Sequence, residues 1–153
     1  MFSRPMLAFF LIAVVPASVA AQERLWSLDA GDEDAYLVFG VPETDDVGIS
    51  FWCTMGTDEI GIFVPEVDSA IKPGKTVPFT MTAGETVARF EGKTTANEMS
   101  GTSSLEAKVS AGEPFFEALK EADRFKVKVG NEENVYPLID ADVSGLLALC
   151  RKP

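Results

Sequence analysis

Apolar and polar residues alternate with period two along most of the chain beyond residue 24. AYLVFGV (35–41) sets Leu37, Phe39 and Val41 against Tyr36, Val38 and Gly40. VGISFWCT (47–54) sets Val47, Ile49, Phe51 and Cys53 against Gly48, Ser50, Trp52 and Thr54. EIGIFV (59–64) places Ile60, Ile62 and Val64 together. Such alternation marks half-buried strands. The intervening MGTD is a permitted hairpin loop, so 47–64 is read as a hairpin. Pairing Phe51 with Ile62 puts Cys53 opposite Ile60 and Ile49 opposite Val64, with all of them on one apolar face. A slip of one residue would bury the other face, which specifies the register. Trp52 is then expected on the reverse face, opposite Gly61 and beside Phe63.

LWSLD (25–29), TVPFTMT (76–82), ETVARFEG (85–92), SLEAKVS (104–110), RFKVKVG (124–130) and NVYPL (134–138) complete the strands. Pro78 predicts an edge strand, because proline cannot donate to a ladder. KTTANEMSGTSS (93–104) is polar and reads as a loop or weak strand. Ser110-x-x-Glu113 followed by Pro114 resembles a capping box, and Phe115, Ala118, Leu119 and Ala122 recur at helical spacing. A second helix starts near Asp140 or Asp142, with Val143, Leu146, Leu147 and Cys150 on one face. The expected fold is mainly β: an antiparallel sandwich or partly open barrel with two short helices, one at the C-terminus.

The N-terminal stretch changes the setting. Arg4, the apolar run Leu7–Val15 and the small residues of PASVAA form the pattern of a secretory signal peptide over residues 1–21. The run is too short for a stable bilayer span. Residues 22–153 are therefore expected as one β-rich domain, periplasmic or secreted, with no membrane span in the mature form. Export supplies an oxidising compartment. Cys53 lies on the apolar face of a strand and Cys150 on the apolar face of the terminal helix. Both faces must bury in a single core, which predicts a Cys53–Cys150 disulfide. Redox chemistry would want CxxC spacing or flanking positive charge, and neither cysteine has them.

The formal charge of −11 is unevenly spread: residues 22–71 hold twelve carboxylates against one arginine, and residues 72–153 hold twelve against eleven Lys/Arg. Nucleic acid is disfavoured, since binding it needs clustered cations. A cationic protein or peptide is the better-matched partner. Histidine is absent, which removes Ser-His-Asp and Cys-His nucleophile systems. GxSxG, Walker and GxGxxG motifs are missing too. SGTSS (100–104) has serines but no visible base. DAGDED (29–34) offers clustered oxygens for calcium but lacks the EF-hand spacing; a glycosidase dyad from DAGDED and ETDD (43–46) is disfavoured because loop carboxylates are ordinary surface residues. No enzyme activity, metal or cofactor is expected. The candidate binding residues are Trp52 and Phe63, an aromatic patch suited to Lys or Arg and rimmed by Asp58, Glu59 and Glu66, together with Asp45 and Asp46; sequential strands usually pair, so the charges of 22–71 are expected to share a surface rather than cancel against residues 72–153.

EPFFEALKEADRFKVKVGNEENVYPLIDADVSGLLALC (113–150) reads as helix, strand, turn, strand and glycine-bearing terminal helix. It resembles the closing half of small exported alphaproteobacterial proteins of the invasion-associated locus B type. That resemblance implies a β-rich exported protein linked to host-cell interaction, without enzymatic chemistry. FWCTMGTDEIGIFV (51–64) resembles the cysteine hairpin of C-type lysozyme inhibitors, acidic β-barrels that bind a basic enzyme. The expected function is thus a non-catalytic binding or accessory protein of the cell envelope or host interface. The alternative is an inhibitor of a cationic hydrolase such as C-type lysozyme.

Overall fold

The computed structural model describes residues 22–153. The signal-peptide expectation, residues 1–21, lies outside them. Nine strands form a single antiparallel sheet that curls into a half-barrel, with two short helices. In chain order they are β1 (Leu25–Ala30), β2 (Asp34–Gly40), β3 (Val47–Thr54), β4 (Glu59–Val64), β5 (Thr76–Ala83), β6 (Thr86–Asn97), β7 (Thr102–Ser110), α1 (Pro114–Glu121), β8 (Arg124–Val129), β9 (Glu132–Pro137) and α2 (Val143–Cys150). The sheet order is β1-β2-β3-β4-β7-β6-β5-β8-β9.

The period-two pattern becomes two faces. Leu37, Phe51, Ile62 and Ala107 stand opposite one another across β2, β3, β4 and β7, and all are buried. The two helices cover this inner face. α1 packs on β5 and β6, and α2 on β2 and β3. Phe115, Phe116 and Leu119 from α1 and Val143, Leu146, Leu147 and Cys150 from α2 enter the core. The Phe51 ring meets Trp26, Phe116 and Phe125 at centroid distances of 6.3, 6.0 and 5.9 Å. Side chains tie β9 back to the start of the sheet: Trp26 Nε1 of β1 donates to the Pro137 carbonyl at 2.6 Å, and Tyr136 Oη of β9 donates to the Gly48 carbonyl of β3 at 3.2 Å. Burial pushes the Tyr136 phenol up from its ordinary pKa.

Two local expectations need correction and one is resolved. β5 is an interior strand, paired with both β6 and β8. Pro78 is tolerated because the β8 ladder begins only at Phe79, so the missing N–H falls where one neighbour has ended. β6 continues to Asn97 and β7 begins at Thr102, so eight of the twelve residues 93–104 are strand, the second of the two expected forms; the pairing of β6 with β7 supplies the order the composition lacks. The capping box does not form. Glu113 is the N-cap without a side-chain bond, and Ser110 ends β7 with its Oγ accepting from the Gly112 N–H. At α2, Asp142 is the N-cap and accepts from Gly145 N at 2.8 Å.

The connection from β4 to β5 is held by Asp68. This largely buried carboxylate accepts the backbone N–H groups of Ala70 at 2.9 Å and Asn131 at 3.1 Å, joining the connection to the β8–β9 turn. These donors, Ala70 first, hold its pKa below the ordinary carboxylate value. A depressed folded-state pKa contributes stability that is full above the unfolded value, about 3.9, and is lost as pH falls through the folded one. Asp68→Asn keeps only one acceptor oxygen and turns a donor toward the second N–H. It is expected to destabilise the fold near neutral pH, with the deficit shrinking as the wild-type carboxylate protonates. Denaturant unfolding of both proteins across acidic pH checks this; a pH-independent deficit would contradict it.

Candidate functional site

The hairpin register is the expected one, with Phe51 opposite Ile62 and Trp52 opposite Gly61. On the outer face it lies within a longer row, Asp29–Tyr36–Trp52–Gly61–Lys108, running across β1, β2, β3, β4 and β7. The glycine is required. A β-carbon at Gly61 would overlap Nε1 and Cε2 of the Trp52 indole, so the ring lies flat on the bare backbone. Tyr36 stacks beside it, with ring centroids 6.5 Å apart and planes 22° from parallel. Tyr36 is 42% exposed and Trp52 is half-buried. Phe63, also half-buried, sits opposite Ser50 one step along the same face.

Two residues complete the platform that sequence reasoning missed. Tyr36 was legible in principle: β2 and β3 are sequential, and Tyr36 shares the outward parity of Trp52. Lys108 was not, because β4 pairs with β7 across some forty intervening residues. Its Nζ stands 5.4 Å from the centre of the Trp52 ring and 3.3 Å from Glu59.

The four expected carboxylates do not form one surface. Asp45 and Asp46 precede β3, whereas Asp58 and Glu59 follow it, roughly 25 Å away along an eight-residue strand. Asp46 binds Arg24 through Nε at 2.9 Å, within a cleft of about 420 Å³ between the start of β3 and β9 that Asp45 also lines. Glu59 pairs with Lys108. Asp58 is a structural hub. Its N–H donates to the Cys150 carbonyl, its carbonyl accepts from Ala111 N, and its carboxylate accepts Lys152 N at 2.8 Å. The Lys152 backbone N–H, more than the nearby ammonium, holds the Asp58 pKa below its ordinary value. The expectation that charges in 22–71 stand clear of residues 72–153 thus fails for Asp58 and Glu59, because the β4–β7 pairing and the chain end bring lysines to them.

Among the carboxylates that stay without a cation, four cluster at the β1–β2 tip. Asp29, Asp32, Glu33 and Asp34 line an open cleft of about 460 Å³ together with Tyr36. They take part in none of the ion pairs among the described residues. Asp34 accepts a hydrogen bond from Thr54 Oγ1 at 2.8 Å. Among the described residues no group of three carboxylates or cysteines is placed to hold a metal ion.

Behind the platform the two cysteines are bonded. Cys53 and Cys150 form the expected disulfide, with Cα atoms 5.7 Å apart. The MGTD loop docks on the end of α2, where Gly56 N and Asp58 N donate to the carbonyls of Leu149 and Cys150, each at 2.9 Å.

The fold and site define a curled antiparallel half-barrel whose terminal helix is bonded to a central strand, with an aromatic platform on its outer face. The chain is weakly similar to the crystal structure of invasion associated protein B from Bartonella henselae, at 14% identity and a TM-score of 0.48, over 85% of this chain and 94% of that one. No family model and no curated protein matches the sequence. Among the described residues no helix is long and apolar enough to cross a membrane.

Proposed function

We propose that this chain is an exported, non-catalytic binding protein of the cell envelope or host interface, docking a cationic segment of a partner protein on the Tyr36–Trp52 platform. The observation that carries this reading is the exposed Tyr36 ring stacked on Trp52, beside four tip carboxylates with no cation of their own. Lys108 already uses the ring chemistry in cis; a partner Lys or Arg would use the open Tyr36 side in the same way. The tip field would speed encounter, and aromatic burial would slow dissociation. A non-catalytic role is supported by the absence of histidine.

The test is surface plasmon resonance of residues 22–153 against a Lys/Arg-rich peptide, basic lysozyme and an acidic control protein. Neutralising the tip (Asp29→Asn, Asp32→Asn, Glu33→Gln) should lower the association rate severalfold. Tyr36→Ala, or Gly61→Ala, which lifts the Trp52 ring, should raise the dissociation rate about tenfold. Asp58 is left intact because its loss would disturb the chain end. Binding to lysozyme but not to the peptide would favour the hydrolase-inhibitor reading. Equal binding to the acidic control, or unchanged kinetics in every variant, would overturn both.

A further inference from the structure

The outer face at the other end of the sheet has the opposite character. RFKVKV in β8 buries Phe125, Val127 and Val129 and leaves Arg124, Lys126 and Lys128 exposed. Alternate residues on one strand face are about 7 Å apart, so the three cations form an evenly spaced line. The neighbouring β5 places Thr82 beside Lys126 and Thr80 beside Lys128, and β6 places Arg89 beyond Thr80. Glu133 pairs with Lys126 at 3.4 Å. Arg89, Arg124 and Lys128 take part in none of the ion pairs among the described residues. In a chain with nearly twice as many carboxylates as cations, this face keeps cations without partners.

We propose that the β8–β5–β6 face binds a linear polyanion, specifically a sulfated or carboxylated polysaccharide. Evenly spaced cations match a polymer whose charges repeat along its length. Threonine hydroxyls between the cation rows can donate to and accept from sugar hydroxyls. Single-stranded nucleic acid binds through bases stacked on aromatic rings, and every aromatic ring of β5, β6 and β8 points to the inner side with the core. A flat anionic bilayer would meet the outer side of a curled sheet along a narrow strip only. The proposal is independent of the Tyr36–Trp52 platform.

The experiment measures binding of residues 22–153 to heparin at physiological ionic strength, where charge repulsion beyond about 8 Å is screened. Three arms accompany it: desulfated heparin, a single-stranded DNA oligonucleotide and phosphatidylglycerol vesicles. Heparin should bind most tightly. Arg124→Gln with Lys128→Gln should weaken it about tenfold, as two lost charge contacts predict. Lys72→Gln with Lys75→Gln changes the net charge equally at exposed positions in the β4–β5 connection, outside the three strands, and should leave affinity within twofold. Equal loss in both double variants would reduce the effect to net charge and overturn the site. DNA or vesicles binding as tightly as heparin would overturn the choice of polysaccharide, and no heparin binding would overturn the proposal outright.

Discussion

Replacing Cys53 and Cys150 together by serine is expected to lower the unfolding free energy by about 4–5 kcal/mol on the chain-entropy model. The bond joins residues 97 apart and so constrains most of the described chain in its unfolded state. It also decides where α2 sits. That helix has only eight residues, too few to be stable alone in water. Its C-terminal carbonyls are bonded by the N–H groups of the β3–β4 loop, so releasing the helix should loosen that loop as well. Denaturant unfolding of the oxidised protein, the reduced protein and the double-serine variant checks this. The reduced and serine forms should agree. A loss below about 1 kcal/mol would mean that apolar packing and the loop hydrogen bonds hold α2 without the crosslink.

Phe51→Ala is expected to cost about 3–5 kcal/mol, the range for removing a large aromatic from a packed core. Phe51 is 1% exposed and touches aromatic rings from β1, α1 and β8. The cavity would open where the sheet meets the first helix, and neighbours held by strands and a disulfide can collapse into it only partly. Trp52→Ala, one residue on, removes a larger side chain but should cost considerably less, because that ring lies half-exposed on the outer face. Comparable losses at the two positions would contradict the assignment of faces. Urea unfolding of both variants gives the comparison directly, and near-ultraviolet circular dichroism should lose core aromatic signal only in the first.

Much of this could be read in the chain. VGISFWCT and EIGIFV could pair in only one register without burying the wrong face, and the structure has that register. Cys53 and Cys150 both fell on apolar faces, and one core left them little choice but to meet. Asp140 and Asp142 were the two candidate starts of α2, and the structure has Asp142 as its N-cap. The binding surface was only half legible. Trp52 and Phe63 were placed on the outer face correctly, but Asp58 and Glu59 were read as free charges when they are engaged.

The division has a physical cause. Side-chain parity, hairpin register and the helix start are set by neighbours within a few residues, so the sequence by itself determined them. Non-local strand pairing is decided by how the whole sheet curls around its core. β4 could have paired with β5 on local grounds, but a long connection held by Asp68 carries the chain across, and β7 pairs with β4 instead. That choice brings Lys108 to Trp52 and Glu59, and makes β5 an interior strand despite Pro78. Only the tertiary structure could therefore separate the neutralised carboxylates from those left without a cation, the β1–β2 tip among them: a charge is cancelled by what lies within a few ångströms, and those neighbours come from distant parts of the chain.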